Sequence, residues 1–372
     1  MGLVVGTRPE AIKLAPVARA FGRAGASPHL YLTGQHPGLD PVEHGLGAIA
    51  VTPLAVAGRP DPMEHVEEVS EALQRLWRRS PPDLVIVQGD TSSALGGARA
   101  ATRCGLALGH VEAGLRSFDP RSPWPEEQFR CEIDRDADLL FAPTALAAAN
   151  LRRENCGGAV HVTGNSGIDA LLDLVGALPA ASRRRRLRGP LRMLVTCHRR
   201  ENWGEGIASL AAALRTLAKG RHVKVEVVLH PNPQVAETMW SLLVDEPGIC
   251  LSPPLCHRAM VERMRASDLI LSDSGGVQEE APALGVPLLV LRDKTERPEC
   301  ITAGSALLVG TQSGAVVDAV MRLVSMPAAL TAMAVPRLPF GDGQASPRIA
   351  SLSLAWLEER GMQGDGQRAM IA

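Results

Sequence analysis

Short apolar runs recur along the chain at Gly2 to Val5, His29 to Leu32, Leu84 to Val87, Leu106 to His110, Leu139 to Phe141 and Val160 to Thr163. Longer stretches rich in Ala, Leu and Arg separate them. Apolar runs of about four to six residues that do not alternate with polar ones read as strands covered on both faces, and helix-length spacers read as crossovers. The pattern predicts a parallel sheet flanked by helices. A second series at Met193 to Thr196, Val223 to Leu229, Ile249 to Leu251, Leu269 to Leu271, Leu288 to Leu291 and Ala306 to Val309 repeats it. The predicted fold class is α/β, as two doubly wound Rossmann-like halves in tandem.

The length of 372 residues agrees, being too great for one ordinary core and suited to two domains of roughly 150 to 200 residues. Between the halves lies an arginine run, Arg183 to Arg186. No aromatic residues interleave with it, so it reads as a solvated helix end rather than a nucleic-acid patch. Basic and acidic residues nearly balance, for a formal net charge of −1, which gives no reason to expect nucleic acid or an anionic membrane as partner. The seven cysteines are odd in number and nowhere spaced as CxxC. Neither a disulfide framework nor a zinc cluster is expected, and a reducing cytoplasm is. The N-terminus enters an apolar strand with no basic region ahead of it, and no later apolar stretch reaches about 20 residues, so neither export nor a membrane span is expected.

Parallel-sheet domains bind ligands at the carboxyl ends of their strands, which places the chemistry in a cleft between the halves. The run Ser272-Asp273-Ser274-Gly275-Gly276-Val277-Gln278-Glu279-Glu280 follows one strand and opens a helix. Its unpaired backbone N–H groups and positive dipole end suit a phosphate. Glu279 and Glu280, expected in the first turn, would repel that phosphate, so one of them better matches an uncharged ribose with its two hydroxyls. The implication is a nucleotide-sugar site. Strand Gly2 to Val5 runs into Gly6-Thr7-Arg8-Pro9-Glu10-Ala11-Ile12-Lys13. Arg8 as a planar fork and Lys13 as a point charge can face a diphosphate there, or be solvated cations beside a capped helix start.

Asp90, beyond strand Leu84 to Val87, reads alone as a functional acid or as the cap of the next helix. Glu112 follows strand Leu106 to His110, and Glu126 and Glu127 follow Pro123-Trp124-Pro125, where the prolines point to a rigid loop rather than a helix interior. Capping explains one strand-end acid readily and three poorly, so general acid/base chemistry is favoured. In the second half His198, His230 and Arg297 follow predicted strands. No HxxxH or HxH spacing supports a metal, so the histidines are better suited to hydrogen-bonding a leaving phosphate.

Gly6 to Lys13, Gly89-Asp90-Thr91, His110 to Arg116, Pro125-Glu126-Glu127, His198-Arg199-Arg200-Glu201-Asn202, Asp273 to Glu280, Thr295 to Glu299 and Gly341 to Ala345, in order along about the whole chain, resemble the non-hydrolysing UDP-N-acetylglucosamine 2-epimerases. The resemblance implies a GT-B fold, with residues 1–166 as an N-terminal Rossmann-like domain, 167–346 as a UDP-binding one, and 347–372 as a helix returning to the first. It implies interconversion of UDP-GlcNAc and UDP-ManNAc without a cofactor or metal, through elimination of UDP to 2-acetamidoglucal and re-addition after proton exchange at C2. A homodimer serving cell-surface polysaccharide synthesis is implied with it. Asp90, Glu112 and Glu126 match the positions implicated in proton transfer, and His198 matches the catalytic histidine near the phosphates. By the same resemblance Arg8, Lys13, Arg116, His230 and Ser274 bind substrate or diphosphate, and Gly275 and Gly276 supply backbone donors. Glu280 binds ribose hydroxyls and Arg297 acts near the sugar.

The chain departs from the family in places. Phe129 stands where an asparagine is usual, implying loss of a polar contact beside the acid loop, and Met260 stands at the uracil-side aromatic position. Cys197 replaces a small residue, and its thiol is not expected to act because the chemistry needs no covalent intermediate. Bacterial members are typically activated by a second UDP-GlcNAc, held by a Gln-His-Arg-(Glu/Gln) segment and a later arginine. Gln35-His36-Pro37-Gly38 and Glu68 stand at those places, which implies that this activation is absent. The alternatives are a hydrolysing epimerase releasing ManNAc and UDP, an epimerase of a modified UDP-sugar, a GT-B glycosyltransferase and a non-catalytic sensor. Pro9-Glu10 argues against the first, whose relatives have an Ala-Asp pair there, and the three acidic loci fit a glycosyltransferase poorly.

Overall fold

The computed structural model describes residues 1–121, 123–178, 189–197 and 202–371, with side chains to 361; His198 and the run Arg183 to Arg186 lie outside them. The first half of the chain runs β1 (Gly2–Val5), α1 (Arg8–Arg23), β2 (His29–Leu32), β3 (Ala50–Pro53), α2 (Pro62–Trp77), β4 (Leu84–Gln88), α3 (Ser92–Arg103), β5 (Ala107–Val111), α4 (Glu126–Asp136), β6 (Leu139–Ala142), α5 (Ala145–Arg153), β7 (Ala159–Val162) and α6 (Ser166–Gly176). The second runs β8 (Leu191–Thr196), α7 (Glu205–Lys219), β9 (Val223–Val228), α8 (Pro233–Leu243), β10 (Ile249–Ser252), α9 (His257–Ala266), β11 (Leu269–Ser272), α10 (Gly275–Leu284), β12 (Leu288–Val290), α11 (Pro298–Thr302), β13 (Ala306–Leu308), α12 (Ser313–Ser325), α13 (Pro327–Met333) and α14 (Ala345–Ile371).

Among the described residues the strands form two parallel sheets, ordered β3-β2-β1-β4-β5-β6-β7 and β10-β9-β8-β11-β12-β13. Each order reverses beside its first strand, as doubly wound sheets do. The chain divides into two compact units, Met1–Ala170 with Phe340–Ala372, and Leu171–Pro339. The division between them falls inside α6, a little after the expected 166, and the return to the first unit starts at Phe340, ahead of the expected 347.

In the first unit β1, β4, β5 and β6 are buried throughout, which is why they read as unbroken apolar runs. Alternate residues feed opposite faces: Leu3 and Val5 pack with Phe21, Phe141 and Ile349 of α14, while Val4 packs with Val66, Leu73 and Phe129. The return helix is thus held by an apolar face of its own. Strand β3 escaped the sequence reading because it is an edge strand, mostly exposed, and ends in Pro53, a residue tolerated at edges. In the second unit Met193, Val195, Leu214, Val225, Leu271, Val316 and Val320 form the corresponding core. Among the described residues no single helix is long and apolar enough to cross a membrane; the α12–α13 pair has the composition but bends by 100° and buries Val316, Val320 and Leu323 in that core.

Candidate active site

The helix caps separate structural from available groups. Thr7 caps α1, and Thr91 caps α3 by accepting the Ala94 N–H at 3.0 Å. Asp90 is therefore not the cap, and the capping alternative falls on its neighbour. Its Oδ2 instead pairs with Nη2 of Arg130. Glu112, directly after β5, has a left-handed φ of 71°, a conformation that costs a non-glycine residue energy and clusters at functional positions. Its Oε2 meets Lys13 Nζ and accepts from Gln88 Nε2 at 3.0 Å. Lys13, expected at a diphosphate, is thus seated on a carboxylate and buried with it.

The acidic pair after Pro125 divides its tasks. Glu127 accepts the Ser117 and Phe118 N–H groups at 2.9 and 3.0 Å and pairs with Arg130 Nη1 at 3.1 Å, so it anchors the preceding loop. Glu126 opens α4, so it lies in a helix's first turn rather than in the expected rigid loop; Pro125 is the residue ahead of that helix. Phe129, one turn on, packs in the core.

Arg116 is held by two carboxylates. Its Nη1 lies 2.7 Å from Asp134, and its Nε and Nη2 bind Glu154 at 2.9 and 2.6 Å, so all three nitrogens have protein partners. At 5% exposure it is buried, and it joins Asp134 to Glu154. Asp134 also receives His110 Nδ1 at 2.6 Å, while His110 Nε2 lies 2.8 Å from the Gly89 carbonyl oxygen. Both ring nitrogens thus face oxygen atoms. Burial alone would raise the Asp134 pKa, but His110 and Arg116 outweigh it and hold the carboxyl below the ordinary range. This triad ties the loop bearing Asp90 to the one bearing Glu112.

Sequence reasoning missed Glu10. Fully buried, it accepts from Gly6 N, Thr7 N and Thr7 Oγ1 at 3.0, 2.6 and 2.8 Å, and from Thr91 Oγ1 at 2.6 Å. It thereby ties the β1–α1 turn to the Asp90 loop. Burial raises its pKa despite those donors. The Glu10 half of its capping box with Thr7 was legible; the bond to Thr91 was not. Arg8, at the start of α1, is exposed.

In the second unit Ser274 precedes α10 without capping it through its side chain, and Gly275 and Gly276 open the helix. The first turn holds no acid: Glu279 and Glu280 lie in the second turn, a correction to the expected placement. Glu279 accepts from Arg297 Nε at 2.6 Å, and Glu296 pairs with Arg297 Nη1 and with Arg292 Nη1, the latter at 2.7 Å. The Arg297 guanidinium lies against Gly275, where an added methyl would sit 2.8 Å from the guanidinium carbon. A guanidinium beside a helix N-terminus concentrates donors for an anion. Glu280 pairs instead with His257, Nε2 to Oε1, at 2.7 Å.

His230 accepts the Asn232 N–H at Nδ1, 2.8 Å, which puts the neutral ring's proton on Nε2. Asn202 donates to Asp273 and to the Leu291 carbonyl at 2.8 and 3.3 Å, which anchors the start of the segment leading into α7. Burial and Asp273 push the Cys197 thiol well up, away from nucleophilic behaviour. Among the described residues no group of three or more His, Cys, Asp or Glu side chains is arranged to hold a metal.

Two Rossmann-like parallel sheets, one ending in anchored acids and the other in a glycine-opened helix with a guanidinium, define an α/β enzyme of the GT-B class. Residues 20–353 match the family model for UDP-N-acetylglucosamine 2-epimerase. A probable UDP-N-acetylglucosamine 2-epimerase of Ralstonia nicotianae is 40% identical over 366 residues, covering 93% of this chain and 96% of that one. The UDP-N-acetylglucosamine 2-epimerase of Escherichia coli K12 is 37% identical with the same coverage. The structure of the UDP-GlcNAc 2-epimerase from Neisseria meningitidis bound to UDP-GlcNAc matches with a TM-score of 0.88 and 34% identity, over 95% of this chain and all of that one. The chain belongs to the UDP-N-acetylglucosamine 2-epimerase family, a family of isomerases.

Proposed function

We propose that this protein is a non-hydrolysing UDP-GlcNAc 2-epimerase that interconverts UDP-GlcNAc and UDP-ManNAc. The observation that carries the reading is the set of strand-end acids in the first unit, Asp90 and Glu112 each seated on a cation and Glu126 opening the next helix. A C2 proton next to an acetamido group is too weakly acidic for direct removal, so the C1–O bond breaks first. UDP departs with that electron pair, the oxocarbenium character at C1 acidifies C2–H, and a carboxylate takes the proton while the C–H pair becomes the C1–C2 double bond of 2-acetamidoglucal. A protonated carboxyl returns a proton to the opposite face, and the UDP oxygen re-adds at C1.

Asp90, Glu112 and Glu126 are assigned to these proton transfers. His198, His230, Arg8, Ser274 and the Gly275 and Gly276 N–H groups are assigned to the diphosphate, Arg297 to the region near the sugar, and Glu280 to the ribose. Lys13 is assigned to the diphosphate as well, and it holds Glu112 in place. The Neisseria relative bound to UDP-GlcNAc supports the substrate class, and seven unpaired thiols fit a cytoplasmic setting. A homodimer and a place in surface-polysaccharide synthesis rest on the resemblance alone.

Proton NMR of the enzyme with UDP-GlcNAc in deuterated water tests the reading. UDP-ManNAc with deuterium at C2 is expected. Free ManNAc with UDP would assign the protein to the hydrolysing class, and an unchanged spectrum would reject UDP-GlcNAc as substrate.

A further inference from the structure

His257 and Glu280 form a polar pair that the reaction above leaves unexplained. Glu280 lies in the second turn of α10 and His257 is the first residue of α9, and their side chains are only 13% and 19% exposed. The Nε2 to Oε1 distance of 2.7 Å is that of a charge-assisted hydrogen bond with the ring as donor. Helix capping does not account for the histidine: Cys256 holds the cap position, no side chain caps α9 there, and a cationic ring is disfavoured at a helix N-terminus. Burial alone would lower the His257 pKa, yet the bond to Glu280 and its charge raise it further than burial lowers it.

The pairing has a consequence for Glu280. A glutamate has three side-chain torsions to fix, and binding pays for fixing them unless the free protein has already done so. One bond from His257 restrains the carboxylate, and a carboxylate with about four lone-pair sites retains capacity for two adjacent hydroxyls. We propose that His257 is a positioning residue for Glu280, and that through Glu280 it sets the preference of this site for a nucleoside diphosphate carrying ribose over one carrying 2′-deoxyribose. The proposal rests on the assignment of Glu280 to the ribose.

Calorimetric titration of the full-length enzyme with UDP and with 2′-deoxy-UDP tests it, using wild type, Glu280→Gln, His257→Ala and His257→Gln. Wild type is expected to prefer UDP by about tenfold or more, and Glu280→Gln to lose that preference. His257→Ala is expected to cut the preference by about threefold or more, through weaker UDP binding with 2′-deoxy-UDP little changed, and His257→Gln, which keeps an N–H donor, to recover most of it. If the alanine variant fails to fold, His257→Phe removes the donor while filling the space. A donorless variant that keeps the full preference while Glu280→Gln has lost it would overturn the role of His257 alone. A wild type without any preference would overturn the ribose assignment and the proposal with it, and a wild type that does not bind UDP would overturn the nucleotide reading beneath both.

Discussion

The strand-end loops of the two units share an architecture and invert its charge logic. In the first unit cations serve carboxylates: Lys13 seats Glu112, Arg130 seats Asp90 and Glu127, and Arg116 seats Asp134 and Glu154. In the second, carboxylates serve a cation, since Glu279 and Glu296 together hold Arg297 beside the N-terminus of α10. An ion pair therefore does not announce which partner is the working group. Position supplies the rest, because acids at strand ends suit proton transfer, whereas a guanidinium at a helix's positive end is useful only when an anion arrives.

The sharpest way to break that contrast is to remove the acids. Glu112→Gln and Asp90→Asn should each lower the rate of C2–H exchange with deuterated water by about 10² to 10⁴-fold while the UDP dissociation constant moves by less than about threefold. An equal loss of UDP affinity would mean that these carboxylates organise the nucleotide site as well, and the division of labour would fail. Asp134→Ala should cost about 3 to 5 kcal/mol of stability in denaturant titration, because it removes the buried carboxylate shared by Arg116 and His110 and leaves Arg116 only the partly exposed Glu154. The pH dependence carries a sign. Asp134 is depressed in the folded state, so its contribution is present above the unfolded value near 3.9 and is lost as pH falls through the lower folded value. Asp134→Asn should therefore flatten the fall in stability below about pH 4. Gly275→Ala, whose methyl would press on the Arg297 guanidinium, should weaken UDP by about tenfold or more and leave the acidic loops in place.

Much of the fold was legible because both sheets are parallel and buried, so their strands appear as unbroken apolar runs. The edge strand β3 was not, since an exposed strand carries no such signature. At the site, sequence placed Asp90, Glu112 and the Glu126/Glu127 pair at strand ends but could not show how each is held. The partners of Glu112 are Lys13 and Gln88, from other elements, and Arg116 is captured by Asp134 and Glu154, which no local spacing reveals. Glu10 was hidden for the same reason, its capping role being local and its bond to Thr91 being tertiary. The misplacement of Glu279 and Glu280 came from taking Ser274-Gly275-Gly276 as a turn ahead of the helix, whereas the two glycines are its first residues and fill its first turn with Val277 and Gln278.

The smallest expected effect is none at all. Activation by a second UDP-GlcNAc requires a place that receives another diphosphate, and the residues standing where the resemblance would put it are otherwise engaged. Glu68 pairs with Arg59 at 2.9 Å on the surface, so the cation nearest to it is answered by an anion. Gln35 accepts from the Ser93 hydroxyl and N–H at 2.7 and 3.3 Å. An exposed ion pair is worth little to stability, about 0 to 1 kcal/mol, but it places a negative charge where a phosphate would need a positive one. Initial rates against UDP-GlcNAc should therefore be hyperbolic, and UDP-ManNAc should react from the first moment without added UDP-GlcNAc. A sigmoidal curve, or a reverse reaction that waits for a trace of UDP-GlcNAc, would show that the first unit receives anions after all and would narrow the contrast with the second.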